Sequence, residues 1–248
     1  MKMAANKIPM SSPRGQWLAL LLGAVNLLAI SYHAQAAAGN KIAQVIPPQA
    51  NFRVLSYGEW EAEWWRSLFL IPVVDGNHPI ISGGAFAVVN GVLFLSPAYY
   101  ENIVHPIDVT VSAGTAIFVP VISFECSVLE PDPAHGNSEA ELRSCANGHI
   151  DQTSGLFAVI DGVPVESLSA YRVQSPLFEF GPLPEDNVLN AIYGGRFTGT
   201  SLSVDAGVYL LLAPLSVGTH TLRVGGTYDE FGFTADTTFN ITVVPHKE

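Results

Sequence analysis

Positive charge is scarce in this sequence: 11 lysines and arginines stand against 22 aspartates and glutamates in 248 residues. A surface of that sign repels phosphate backbones and anionic lipids and suits cations or neutral ligands, so no nucleic-acid partner is expected. Catalytic signatures are missing as well. The chain has no G-x-S-x-G elbow, no H-E-x-x-H and no glycine-rich phosphate loop followed by lysine, which argues against an α/β-hydrolase, a zincin and a nucleotide enzyme. It has no internal repeat and no low-complexity segment. No apolar run reaches the roughly 18 residues of a membrane-spanning helix, so no membrane span is expected.

The longest apolar run, "WLALLLGAVNLLAI" (17–30), follows Lys2, Lys7 and Arg14 and precedes Ala34-Gln35-Ala36. That order predicts a secretory signal peptide over 1–36 and a secreted or periplasmic protein. Lys2, Lys7 and Arg14 are three of the 11 basic residues, so the mature chain would carry 8 against 22, a formal charge of −14. A flexible leader is expected over 37–55 and a single domain over 56–248. Cysteine is limited to Cys126 and Cys145. Both lie in the exported part, where thiols oxidise, and a disulfide between them is expected. Their spacing matches no zinc pattern.

"SYGEWEAEWWRSLFLIP" (56–72) carries the one clear helix signal, over 57–70. Ser56 with Glu59 has the form of a capping box, Leu55 can staple against Trp60, and Pro72 ends the element. On a helical wheel Trp60, Trp64 and Leu68 form one stripe, widened by Trp65, Phe69 and Ala62, with Glu59, Glu63 and Arg66 opposite. The tryptophans therefore predict a helix packed on a sheet rather than a sugar-stacking platform. Glu61 breaks the pattern, since it projects inside the apolar arc. A carboxyl there is either desolvated, with a raised pKa suited to a general acid, or reaches the rim from the second turn.

From Phe86 onward the signals are those of strands. "FAVVNGVLFL" (86–95) predicts a hairpin at Asn90-Gly91, and "LFAVIDGVPV" (156–165) another at Asp161-Gly162. Further strands are expected at 107–111, 116–126, 171–180, 188–193, 207–214, 219–224 and 237–244. Many short strands and one helix predict an all-β fold: an antiparallel β-sandwich, immunoglobulin-like or jelly-roll-like, with one N-terminal amphipathic helix. The stretch from 127 to 144, "SVLEPDPAHGNSEAELRS", reads as a long irregular loop.

"LSVGTHTLRVGG…FTADTTFNITVV" (215–244) resembles the closing hairpin of bacterial immunoglobulin-like surface domains. "YGEWEAEWW" (57–65), "AGTAIFVPVISFECS" (113–127), "LRSCANGHID" (142–151) and "YRVQSPLF" (171–178) together resemble a family of exported bacterial proteins with no assigned activity. That resemblance implies an exported, β-rich protein.

A disulfide would hold the two Cα atoms about 5.5–6 Å apart, bringing Glu125 and "NGHID" (147–151) into one neighbourhood. Glu125, His149 and Asp151 are therefore the candidate catalytic group, with Glu125 or His149 activating water. Asp132, Glu139, Glu141 and Asp151 are the candidate ligands of a cation such as calcium, with Glu130 and His135 on the same loop. The EF-hand template fails, because from Glu130 the turn glycine, Gly136, falls one position late. Ser123, Ser127 and Ser144 lie near enough to serve as nucleophiles. His220, on a face with Leu222 and Val224, reads as a hydrogen-bonded core histidine. Two functions follow: a binding module for a neutral small molecule or another surface protein, or a calcium-assisted hydrolase of a neutral ester or lactone.

Overall fold

Two-residue turns of Asn-Gly and Asp-Gly suit strand pairing because both central residues adopt positive φ, as the right-handed twist of a hairpin requires. Asn90 and Gly91 do so at 47° and 70°, and Asp161 and Gly162 at 50° and 80°. These turns join β1 (Gly84–Val89) to β2 (Val92–Ser96) and β5 (Thr153–Ile160) to β6 (Val163–Pro164). The computed structural model describes residues 44–99 and 106–246. The expected signal peptide, residues 37–43 of the expected leader and His105 lie outside the described residues.

The remaining strands are β3 (Ile107–Ser112), β4 (Ala116–Ser127), β7 (Arg172–Gln174), β8 (Phe178–Phe180), β9 (Ser201–Leu212), β10 (Gly218–Tyr228) and β11 (Phe233–Val244). They form two sheets. The first runs β1-β2-β4-β9-β7 with β8 also on β9, and the second runs β3-β11-β10-β5-β6. Both are mixed rather than antiparallel throughout, since β2 pairs β4 and β3 pairs β11 in parallel. The sheets share one apolar core, in which Val119, Val121 and Leu210 of the first meet Leu222, Phe239 and Ile241 of the second.

The first sheet is covered on its other face by α1 (Tyr57–Phe69), whose Trp60, Trp64, Leu68 and Phe69 pack among Phe94, Phe118, Phe180 and Leu211. Burial on both faces explains why β4 and β9 read as nearly continuous apolar runs, while β11 alternates buried and exposed. The expected capping box forms: Glu59 N–H donates to Ser56 Oγ, and Ser56 N–H to Glu59 Oε2. Each buried indole finds an acceptor, Trp60 on the Phe52 carbonyl and Trp64 on the Leu95 carbonyl at 2.9 Å. These rings are enclosed, as the wheel predicts.

Three sequence expectations are corrected. Residues 44–55 are no free leader, because Val45 bridges Leu212 and the Tyr57 hydroxyl spans the Ile46 carbonyl and the Leu211 N–H. The loop expected over 127–144 gives way at α3 (Glu139–Ile150), whose cap Ser138 accepts from the Glu141 N–H and whose Leu142, Ala146 and Ile150 enter the core. The strand expected at 188–193 is α4 (Val188–Tyr193), capped by Asn187 and ended by Gly194 at φ 70°. A short helix α2 (Pro79–Ser82) starts where the His78 ring accepts the Ile80 N–H.

Candidate functional site

Strand geometry determines which side chains share a face. Glu125 lies directly opposite Asp205 in the β4–β9 ladder, Ser123 opposite Gly207 and Ser127 opposite Ser203. With a period of two, Ser123, Glu125, Ser127, Ser203 and Asp205 face the α1 side, while Phe124 and Cys126 face the other. Gly207 is needed there: a Cβ would come within 2.6 Å of the Tyr209 ring and 2.7 Å of the Ile122 carbonyl oxygen. The gap lets the Tyr209 hydroxyl reach Asp205 Oδ2 at 2.8 Å, and Trp65 Nε1 donates to that hydroxyl at 3.2 Å.

Four carboxyl groups gather on this face. Glu61 is fully enclosed and neither of its oxygens has a partner, nor has Asp205 Oδ1. The expectation that Glu61 could reach the rim is therefore corrected in favour of burial. Burial lifts its pKa well above the carboxyl range, and the Asp205 charge adds to the lift. Asp205 is itself pushed up by burial to about 8, against the hydrogen bonds of Tyr209 and Trp65. Glu125 stands well above the ordinary range through burial, then through the charge of Glu130 and the hydrogen bond to it. Glu130 is raised by burial too, opposed by hydrogen bonds from Glu125, Ser127 and Tyr193. Glu125 and Glu130 therefore titrate as a pair, and the hydrogen bond between them raises Glu125 while lowering Glu130.

The pair is fixed by its neighbours. Ser203 Oγ bonds Glu125 Oε1, Ser127 Oγ donates to Glu130 Oε2 at 2.8 Å, and the Tyr193 hydroxyl donates to Glu130 Oε1 at 3.2 Å. Both acids form part of the wall of a cavity of about 480 Å³, within the usual range for small-molecule sites. Trp65, Phe69, Tyr99, Phe124, Tyr193 and Phe231 supply much of the remaining wall. Ser123 also lines it. Its Oγ lies near the Tyr99 and Tyr209 hydroxyls but makes no hydrogen bond of good geometry with either. Among the described residues, no lysine, arginine or histidine lines this cavity.

The disulfide forms, with Cys126 and Cys145 Cα atoms 6.2 Å apart. It does not bring Glu125, His149 and Asp151 together. His149 stacks on Phe124 at 3.8 Å, on the face opposite Glu125, with Nδ1 against Glu230 and Nε2 against the Pro133 carbonyl. Asp151 is exposed and paired with Arg172 at 2.6 Å. The candidate cation ligands are equally dispersed. Glu139 pairs with Arg143, Glu141 accepts the Asn137 N–H, and Asp132 is exposed. Among the described residues one group of three or more possible ligand atoms clusters, Cys126, Cys145 and His149, and both sulfurs are consumed by the disulfide. His135 binds the Glu130 carbonyl and Asn137, and Ser144 borders a separate groove beside the disulfide.

No protein-family model and no curated protein matches the chain. Among solved structures, the cysteine protease inhibitor EhICP2 from Entamoeba histolytica matches at 13% identity over 56% of this chain and 87% of that one, with a TM-score of 0.21. A likeness of that size carries no argument about fold or function.

Proposed function

We propose that this is an exported binding module that holds a small organic ligand in the cavity between α1, α4, the first sheet and the β10–β11 turn. The observation that carries the reading is the enclosure of Glu125, Glu130 and Ser123 in an otherwise aromatic wall. Glu125 and Glu130 differ from the other buried acids, Glu61 and Asp205, in lining a concave cavity, where acids perturbed by burial mark a binding site. The signal-peptide pattern of residues 1–36 and the resemblance to exported bacterial proteins support reading it as a protein outside the cytoplasm. Thermal-shift screening of a small-molecule panel should yield saturable binders. Ala134→Leu, which fills the cavity from its wall, should abolish their effect while the protein stays folded. Binders indifferent to that substitution would overturn the reading.

A second reading is favoured by the proton shared between Glu125 and Glu130. With a water in the cavity, Glu130 could take a proton as water adds to an ester or lactone carbonyl, while Glu125 protonates the leaving oxygen. Turnover of chromogenic esters or lactones, lost in Glu125→Gln, would select the hydrolase. Binding without turnover selects the module.

A further inference from the structure

We infer that the ligand of this cavity is an organic ammonium ion with an apolar body, its nitrogen seated against Glu125, Glu130 and the Ser123 hydroxyl. The inference rests on the binding reading above and names the chemical class of its ligand. Three features of the cavity carry it. The charged groups in its described wall are both carboxyls, Glu125 and Glu130, and both are more than nine-tenths buried. An anionic ligand would meet only repulsion there. A neutral ligand leaves the two acids of the wall without a counter-charge, and a cationic one supplies it. The second feature is Ser123, 6% exposed, a residue of the cavity wall whose enclosed Oγ lacks a well-formed hydrogen bond. An ammonium group has three donors. Two carboxyl oxygens and one hydroxyl oxygen match that number. The third feature is the aromatic remainder of the wall, including Trp65, Phe124 and Phe231, which suits a hydrocarbon body and attracts a cation through ring faces.

Seating the cation requires the proton held between Glu125 and Glu130 to leave, because an ammonium ion prefers two ionised carboxylates to a proton-sharing pair. Binding and proton release are therefore linked, and affinity rises with pH until the amine itself loses its charge. The titratable side chains facing the pair are acids and phenols, and His135 touches Glu130 only at its backbone carbonyl. The acids and phenols are Asp205 and Tyr209 on β9, Glu61 on α1, Tyr193 on α4, Tyr228 on β10 and Tyr99 after β2. None of these supplies a competing positive charge.

The test is isothermal titration of the mature protein with matched pairs of equal shape, benzylamine against benzyl alcohol and cyclohexylmethylamine against cyclohexylmethanol. Each amine is expected to bind at least tenfold tighter than its alcohol. Comparing two buffers of different ionisation enthalpy should show about one proton released per amine and none per alcohol. Glu125→Gln with Glu130→Gln should erase the preference and the proton release while the alcohols still bind. If that double variant fails to fold, Ser123→Ala should weaken the amines alone. Alcohols binding as tightly as amines in the wild type would overturn the ammonium assignment and leave the small-molecule reading standing. No saturable binding of either member of each pair up to millimolar concentration would overturn both.

Discussion

Replacing Glu61 by methionine should make the protein more stable, and increasingly so as the pH rises. Glu61 sits one turn before Trp65 and one turn after Tyr57 on the buried face of α1, with both carboxyl oxygens unpartnered. Methionine has a similar length and an unbranched, adaptable shape, and it takes the place with no polar atom to satisfy. The folded state raises the pKa of Glu61, so between its ordinary value of 4.5 and its folded value the native chain holds a proton that the unfolded chain has released. Stability from this group is fully present below pH 4.5 and is lost as pH climbs through that window. Each pH unit of that window costs about 1.4 kcal/mol, so the cost grows as pH rises. Glu61→Met should therefore gain more at pH 7 than at pH 5, by about 1.4 kcal/mol for each pH unit over which the buried carboxyl keeps its proton. Urea unfolding of both proteins at the two pH values gives the difference directly, provided the slopes agree. A variant that is destabilised at both pH values, or whose gain is the same at both, would refute the reasoning and show that Glu61 is solvated or paired.

Three further outcomes are expected. Trp64→Ala should lose about 3–5 kcal/mol in urea melts, because it empties a fully enclosed site and strands the Leu95 carbonyl; a loss under 1 kcal/mol would contradict its packing. Alkylation without reductant should leave Cys126 and Cys145 unlabelled, and Cys126→Ala with Cys145→Ala should lose about 3 kcal/mol of loop-closure stabilisation, read by calorimetry. His220 should titrate above 6.5 by NMR: burial opposes its charge, but the Asp161 carboxylate and the Ser216 carbonyl prevail. Its contribution is present below pH 6.5 and is lost as pH rises through the folded value, and Asp161→Asn should bring that value down.

Local signals were legible in the sequence and long-range ones were not. Ser56 and Glu59, Asn90-Gly91 and Asp161-Gly162 each act within four residues, and each formed the element it signals. The Ser138 and Glu141 cap of α3 was equally local. It escaped because only Leu142, Ala146 and Ile150 mark the buried face and Asn147-Gly148 interrupts the pattern. "VLNAIY" is a short apolar run that periodicity cannot assign, although Asn187 before it and Gly194 after it are helix punctuation. The acid site depends on the register of β4 against β9, which sets Glu125 opposite a residue eighty positions away. No composition or spacing conveys that. The failure of Glu125 and His149 to meet follows from a simpler rule. Adjacent strand residues point to opposite faces, so the disulfide that draws α3 to Cys126 places His149 on the face that Glu125 leaves.

A bound ligand's position separates the cavity from the groove beside the disulfide. A crystal structure of the protein soaked with the tightest-binding amine should show density inside the cavity, with the nitrogen within hydrogen-bonding distance of Glu125 and Glu130. Density seated in the groove beside His149 and Cys145, with the cavity left as it is, would contradict the account.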